Sequence, residues 1–433
     1  MKKVLQSVQW MAFIVLANVV YPLAVGQSFN LSSHDTMMFI QRTIFMLGVA
    51  AIIQLFFGHK LYISEVPSGL WFGIFLIYAG IGQAIFGSNV NTLRVITFSI
   101  ITAGVIIMLI SAFGLMDKLL VLFSPRVLAT FMILLVAELS MDFIKGLFGV
   151  GYLSNTISIP VLICSASLVI LSLVLRKFKK IAPYSFMVVI IVGWALFYAL
   201  GLTKPMAKVS TIVQLPTPFP FGMPIANLSM IPSIIVAVFI LISTMLASIK
   251  VIKEILERHN KTTYNVSIKR SGVIMGLNQV LSGIFLSTAG ITAISISSFI
   301  DQTKSTKKNT FLIGNILVII VSLITPIMAF FTTLPTPVAY AAIFTIFSGM
   351  FGTALRELDS IEDKKDMYFS IGIPIFAGIG IMGVPKSAFA NMPSAVTTLL
   401  SNGLVIGIIL AFIIEIMILM KNKKIKHKIN NLT

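Results

Sequence analysis

The chain has 433 residues, of which 57% are hydrophobic and 11% are charged, with a mean hydropathy of +1.01. This composition excludes a soluble globular protein and indicates a polytopic, all-α membrane protein. The formal net charge of +18 does not indicate nucleic-acid binding, because the lysines and arginines lie in short loops between long apolar runs.

Apolar segments predict the membrane spans in chain order, and we count about fourteen. In the first half they cover residues 8–26, 37–58, 68–80, 92–114, 126–148, 158–175 and 182–201. In the second half they cover residues 230–249, 270–288, 291–300, 309–331, 337–355, 367–384 and 395–420. The third and tenth are short. Ten helical residues rise only about 15 Å, half of the ~30 Å hydrocarbon core, so both are interpreted as half-helices.

Basic residues alternate between the predicted loops. With the amino terminus inside, the even-numbered loops and the tail carry most of them, and the odd-numbered loops hold chiefly Arg94, Lys204, Lys208 and Lys386. This bias favours fourteen spans and predicts that both termini are cytoplasmic, in a multi-pass protein of the cytoplasmic membrane.

The two half-helices are seven spans apart. Because seven is odd, the two halves insert with opposite orientation, which predicts a 7+7 inverted repeat whose broken helices meet near the midplane. The first repeat covers residues 1–201, the connecting loop 202–229, and the second repeat, with a basic cytoplasmic tail, 230–433. Together they form one membrane transport domain. In transporters, interrupted spans of this kind are the best sequence indication of the binding site.

Two acidic residues at membrane depth are candidates for proton coupling. Glu65 lies two residues before Pro67, at the start of span three. It is either a substrate or proton ligand at the break, or a helix-start acid or partner for Lys60. Glu138 lies centrally in span five with no basic residue one turn away. Burial disfavours the charged form of a carboxyl group, as a proton carrier requires.

Two further acids at this depth have simpler interpretations. Asp142 lies three residues before Lys145, so a local ion pair accounts for it. Glu415 precedes Lys421 by about one and a half turns and is interpreted as structural.

Span ten and its lead-in are rich in hydroxyl side chains: Ser287, Thr288, Thr292, Ser295, Ser297 and Ser298. Hydroxyl groups, together with the free N–H groups of a broken helix, can bind a polar, planar solute. The alternative is that these small residues only allow close helix packing.

The chain carries few side chains suited to catalysis. The single cysteine, Cys164, lies in an apolar run and cannot form a disulfide within the chain. The histidines lie at span ends, in loops or in the tail: His34, His59, His259 and His427. An integral-membrane enzyme is therefore the least favoured function, and neither a metal nor a cofactor is expected.

Four stretches resemble the nucleobase–cation symporter family, also called nucleobase–ascorbate transporters, and the resemblance covers the chain nearly end to end. QWMAFIVLANVVYPLAVG (9–26) is similar to the family's Gln-His start and Pro-containing turn. GHKLYISEVPSGLWFG (58–73) is similar to its Gly-Arg-x-Leu-Pro stretch, and SGIFLST (282–288) to the lead-in of span ten. LPTPVAYAAIFTIFSGMFGTALREL (334–358) resembles its Ile-Pro-x-Pro-Val-x-Gly-Gly run and is the most specific of the four.

The resemblance implies a core domain of spans 1–4 and 8–11 and a gate domain of spans 5–7 and 12–14. It implies that a nucleobase binds between these domains, against spans three and ten, and that uptake is coupled to H⁺ or Na⁺. It also implies a possible homodimer through the gate domain. The base would be a purine such as xanthine, hypoxanthine or urate.

The family's site residues fall on positions in five spans. Carried over by position, the substrate-binding residues are Ala17, Asn18, Ser68, Gly69, Thr292, Ile294, Ser295 and Phe347. The span-five acid of some members falls on Glu138, and Glu65 is the second candidate for proton coupling.

Three positions depart from the family's pattern. The His of span one is Trp10, the span-eight Glu falls in the acid-free stretch Phe239–Ser243, and the acidic or polar position of span ten falls near Ser295. Loss of these acids leaves open a second function, an anion transporter of the same architecture for sulfate, bicarbonate or a carboxylate.

Overall fold

The computed structural model describes residues 2–116, 124–154, 156–178, 181–182, 185–292, 296, 300, 306–359, 361, 364–385, 388, 392, 400 and 403–430. The helices of the first half are α1 (Lys2–Asn18), α2 (Val20–Ser28), α3 (Ser33–Phe57), α4 (Gly69–Phe86), α5 (Asn89–Ala112), α6 (Pro125–Leu147), α7 (Ile159–Lys177) and α8 (Ser185–Ala199). Those of the second half are α9 (Ile231–Asn260), α10 (Ile268–Ile284), α11 (Lys308–Leu323), α12 (Thr325–Phe331), α13 (Thr336–Asp359), α14 (Lys364–Met382) and α15 (Gly403–Asn430). Two short strands, β1 (Glu65–Pro67) and β2 (Gly290–Thr292), and a 3-10 turn at Leu228–Met230 complete the described elements.

The helical lengths confirm a polytopic helical membrane protein. Within the described ranges, eight segments are long and apolar enough to cross a membrane, and three shorter apolar helices accompany them. The exact number of fourteen spans and the 7+7 repeat stay predictions.

Serine side chains mark the starts of several helices. Five helices begin at a serine whose side chain accepts a hydrogen bond from a backbone N–H of the first turn, namely Ser32, Ser68, Ser88, Ser124 and Ser267. The break between α1 and α2, at Val19, has a different cause. Pro22 has no N–H to donate to the Asn18 carbonyl four residues earlier, so the helical ladder is interrupted there.

The prediction that span three is half-length is wrong. Its apolar run was expected to end at Gly80, but α4 continues to Phe86 and has 18 residues. At 1.5 Å per residue it rises about 27 Å, close to the thickness of the hydrocarbon core. Gly82 and Gln83 interrupt the apolar run without ending the helix, which stops at Gly87, where φ is +83°. The structure has the predicted break before α4, but α4 itself is not a short helix.

The described helices pack in two groups. The first group consists of α1–α5 and α9–α12 with both strands, and the second of α6–α8 and α13–α15. The most extensive pairing in the first group joins α5 to α10. A Cβ atom added at Gly104 would lie 2.6 Å from the Gly276 carbonyl oxygen, and one added at Gly276 would lie 2.5 Å from the Gly104 carbonyl oxygen. Glycine is therefore required for the two backbones to touch.

A partly buried ion pair joins two helices of the second group. Arg126, at the start of α6, places Nη1 3.3 Å from Oε2 of Glu415 on α15, and the two side chains are only 17% and 5% exposed. The structural interpretation of Glu415 therefore has a specific basis, in a partner 289 positions away.

Replacing Glu415 with Ala is expected to destabilise the protein, because Arg126 would keep a buried charge without its partner. For fully buried pairs such a loss costs about 3–5 kcal/mol, and the partial exposure of Arg126 should make it smaller here. The measurement is the thermal midpoint of the purified protein in detergent. The double variant Arg126→Leu/Glu415→Leu, which removes both charges, should recover most of the loss. A single variant as stable as wild type would show that the pair contributes nothing.

Candidate functional site

The two predicted breaks meet in an antiparallel strand pair. β1 precedes α4 in the first half of the chain, and β2 follows α10 in the second half. Their register pairs Glu65 with Thr292, Val66 with Ile291, and Pro67 with Gly290. Both strands lie within the first group, and β2 also contacts α9. The structure thus brings together the two breaks that the sequence predicted to meet.

A chain of buried hydrogen bonds crosses this strand pair. The Thr292 hydroxyl donates to Glu65 Oε1 at 3.0 Å, and the Ser248 hydroxyl of α9 donates to the Thr292 carbonyl oxygen at 2.8 Å. All three residues are at most 1% exposed. Glu65 therefore has a partner from the opposite half of the chain, while Lys60, the partner considered from sequence, is exposed.

The start of α4 is fixed on one side, and among the described residues it has space on the other. Ser68 donates its backbone N–H to the Ala289 carbonyl oxygen at 3.0 Å, and its hydroxyl oxygen accepts from the Trp71 N–H. Apart from its chain neighbours and the backbone of its own helix, no described residue lies within 4 Å of a Cβ atom added at Gly69. The first turn of a helix carries N–H groups without helical partners, so this space is suited to a hydrogen-bond acceptor.

The break in span one supplies a third irregular backbone segment. Ala17 and Asn18 are the last residues of α1, and the Asn18 amide donates to the Ile14 carbonyl oxygen at 2.6 Å. Asn18 is buried and Ala17 is half-buried. Tyr21, three residues after Asn18, packs edge to face on Phe72 in the first turn of α4, with ring centroids 5.2 Å apart, so this break lies near the start of α4.

A cavity of about 440 Å³ lies between the two groups. The first group contributes residues of α2 and α4 to its wall, and the second group contributes α6 and α13. Glu138, half-buried, is on this wall together with Met141 and Tyr340. The volume is within the range of small-molecule sites. Among the described lining residues, Glu138 is the only one of the predicted site residues.

A hydrogen bond joins the two groups at the cavity wall. The Thr336 hydroxyl, at the start of α13, donates to Oε1 of Gln27 on α2, and both residues line the cavity. A polar contact between two separately packed groups holds their relative position in this conformation.

The structure says less about the remaining predicted residues. Ile294 and Ser295 lie outside the described residues. Phe347 lies on α13, and its side chain is outside what the structure describes. Trp10, at the position of the family's His, is fully buried and packs edge to face on Phe311 of α11, with ring centroids 5.1 Å apart. Trp10 therefore packs α1 against α11.

Several buried amide and arginine side chains escaped the sequence interpretation, which examined acids and hydroxyls at membrane depth, and two of them bond to β2 or to the residues just before it. Gln279 of α10 is fully buried and bonded to both α4 and β2. Arg42 of α3 is 2% exposed, and its Nε donates to the Leu286 carbonyl oxygen at 3.4 Å. A census of amides and arginines inside the predicted spans would have found both.

Comparison with known proteins identifies the class. The chain matches the family model Xan_ur_permease, "Permease family", over residues 1–387. It is 38% identical over 419 residues to "Putative purine permease YwdJ" of Bacillus subtilis, covering 95% of this chain and 94% of that protein. It is 26% identical over 424 residues to the xanthine permease of Bacillus subtilis, covering 95% and 92%. The chain therefore belongs to the xanthine/uracil permease family, which confirms the resemblance and indicates a transporter rather than an enzyme.

The fold has solved counterparts. The structure is similar to the transmembrane domain of a cyanobacterium bicarbonate transporter, BicA, with a TM-score of 0.62 and 15% identity, covering 87% of this chain and 96% of that chain. At this identity the likeness shows the fold alone.

Proposed function

We propose that this chain is a secondary active transporter that imports a nucleobase, a purine such as xanthine, hypoxanthine or urate, across the cytoplasmic membrane. Membership of the permease family supports a nucleobase transporter, and relatives named as purine and xanthine permeases support the choice of a purine. The observation that carries the proposal is the pairing of β1 with β2. It places two interrupted segments from opposite halves of the chain side by side, as in transporters with binding sites at the midplane.

The first group would act as the core domain and the second as the gate domain. The base would lie between them, at the start of α4, with the cavity as its route from one side of the membrane. Alternating access then requires the two groups to move relative to each other. The hydrogen bond between Thr336 and Gln27 crosses that boundary, so it has to break during the movement.

Recognition would depend on hydroxyls and backbone N–H groups. Ser68 and Gly69 start α4, and Thr292 ends β2, so they present one side of the site. Ala17 and Asn18 at the α1 break, Ile294 and Ser295 beyond β2, and Phe347 on α13 complete the proposed set. A purine offers ring nitrogens and carbonyl oxygens that accept from such N–H and O–H donors. No acid occupies the stretch Phe239–Ser243, so span eight would not bind the base through a carboxylate.

We assign proton coupling to Glu138 rather than Glu65. A carboxylate at membrane depth is costly, so uptake of a proton is favoured there. Glu138 lines a cavity with room for many water molecules, through which protons can be exchanged. Glu65 is 1% exposed and accepts a hydrogen bond from Thr292, which fits a residue that joins the two strands. Coupling to Na⁺ is the alternative.

Uptake in cells expressing the protein tests the proposal. Radiolabelled xanthine, hypoxanthine, urate and uracil are supplied with and without a protonophore, in media with and without Na⁺. We expect saturable accumulation of a purine that the protonophore abolishes and Na⁺ does not affect. Accumulation that depends on Na⁺ would show that Na⁺, and not H⁺, is the coupling ion. No accumulation of any base, together with flux of sulfate or bicarbonate, would overturn the proposal in favour of an anion transporter.

A further inference from the structure

Two backbone carbonyl groups of β2 face away from β1, so their hydrogen-bond donors have to come from outside the strand pair. Ser68 donates to the carbonyl oxygen of Ala289, the residue opposite it in the same register. Antiparallel pairs alternate between bonded and non-bonded positions, so the bonded pairs are Ser68 with Ala289 and Val66 with Ile291. The carbonyl groups of Gly290 and Thr292 therefore point away from β1.

Side chains of two helices satisfy these two carbonyl groups. The Gln279 amide of α10 donates through Nε2 to the Gly290 oxygen at 2.6 Å, and the Ser248 hydroxyl of α9 donates to the Thr292 oxygen. Gly290, Thr292 and both donor residues are buried, so no solvent is available as a substitute. A buried carbonyl group left without a donor is costly, so each of these side chains holds β2 in place.

Gln279 also bonds to the start of α4. Its Oε1 accepts from the Trp71 indole N–H at 2.8 Å, and Trp71 is fully buried in the first turn of α4. One planar amide therefore spans from the β2 backbone to α4, two residues beyond Gly69. Its rigid geometry fixes the distance between the two sides of the proposed site.

We propose that Gln279 is a positioning residue for base binding. It does not touch the base. It keeps β2 and the first turn of α4 at the separation that the base requires, through its bonds to Gly290 and Trp71. The proposal rests on the proposed function, because it assumes that the base lies at the start of α4.

Three variants separate the two bonds. Gln279→Leu removes both. Gln279→Glu keeps an acceptor for Trp71 and replaces the amide donor to Gly290 by a carboxyl group, which donates only when it is protonated. Trp71→Phe removes the indole N–H together with the five-membered part of the buried ring. The matched control is Asn278→Leu, because Asn278 is the adjacent buried amide on α10 and donates to Ala50 of α3 instead, at 3.3 Å.

The measurement is the concentration dependence of purine uptake, normalised to protein in the membrane. We expect Gln279→Leu to raise KM about tenfold while the maximal rate per molecule stays near wild type. Asn278→Leu should leave KM within about twofold of wild type, because its bond lies outside the strand pair. Adding Trp71→Phe to Gln279→Leu should raise KM by less than the product of the two single effects, because the two residues share one bond.

The outcomes distinguish this inference from the function on which it rests. If the wild type takes up no base, the proposed function fails and the inference falls with it. If the wild type shows saturable uptake and the KM of Gln279→Leu equals that of Asn278→Leu, the inference alone is overturned. If Gln279→Leu does not reach the membrane, Gln279→Glu and Trp71→Phe decide the matter. A KM that is unchanged in both overturns the inference, and a raised KM in either supports it.

Discussion

Glu138→Gln is expected to abolish concentrative uptake of the base while leaving the amount of protein in the membrane unchanged. The substitution keeps the size and hydrogen-bonding capacity of the side chain and removes its ability to take up and release a proton. The residue lies on the wall of the cavity, so the change does not open a packed core. The measurement is the ratio of internal to external radiolabelled purine at steady state. It should fall from several-fold to about one, because nothing then couples the base to the proton gradient.

A second measurement separates coupling from binding. Exchange of internal labelled purine for external unlabelled purine needs no net proton movement, and it should persist in Glu138→Gln. The matched control is Glu254→Gln, since Glu254 is exposed near the carboxyl end of α9. Wild-type accumulation in Glu138→Gln would remove Glu138 from the mechanism. Loss of exchange as well would show that Glu138 is needed for binding or movement.

Thr292→Val is expected to weaken both base uptake and stability. Valine keeps the shape of threonine and removes the hydroxyl that donates to Glu65 and ties β1 to β2. A buried polar group left without its partner costs about 1–3 kcal/mol, more for a charged one. If that free energy is lost from base binding, the uptake rate at low substrate concentration drops by about tenfold or more. The thermal midpoint in detergent should fall with it.

Thr292→Ser is the matched control for this prediction. Serine restores the hydroxyl without the methyl group, so uptake and the thermal midpoint should return most of the way to wild type. Normal uptake in Thr292→Val would show that the bond to Glu65 is dispensable. A loss in the serine variant equal to that in the valine variant would assign the effect to packing of the methyl group.

Local signals in the sequence were sufficient to predict where the helices are interrupted. They were not sufficient to predict that short strands occupy the interruptions. The stretch from Glu65 to Gly69 and the hydroxyl-rich stretch before Thr292 both indicated interrupted helices, and the structure has strands at both. Three-residue strands are too short to show an alternating pattern, so the pairing itself was not predictable from periodicity. The length of α4 was underestimated for a related reason. Polar and small residues ended the apolar run at a point where the helix, beside a cavity, continues.

Contacts between residues far apart along the chain were the other feature that the sequence could not predict. The sequence interpretation of Glu415 considered a lysine on the same helix, whereas Arg126 comes from the other half of the chain. Gln279 shows the same limit, because Trp71, its partner, is 208 positions away. Nothing within a few residues of either side chain indicates such a contact. Only the fold brings the two halves together.

The strand pair also has a consequence for the order in which the protein is made. Thr292 is synthesised 227 residues after Glu65, and the glycine face of α5 likewise waits for α10. Contacts between such distant residues form late, because a long loop has to close first. During translation of the first half, the Glu65 carboxyl group and the start of α4 therefore enter the membrane without their partner strand. The site at this break is complete only after β2 has been synthesised and has paired with β1.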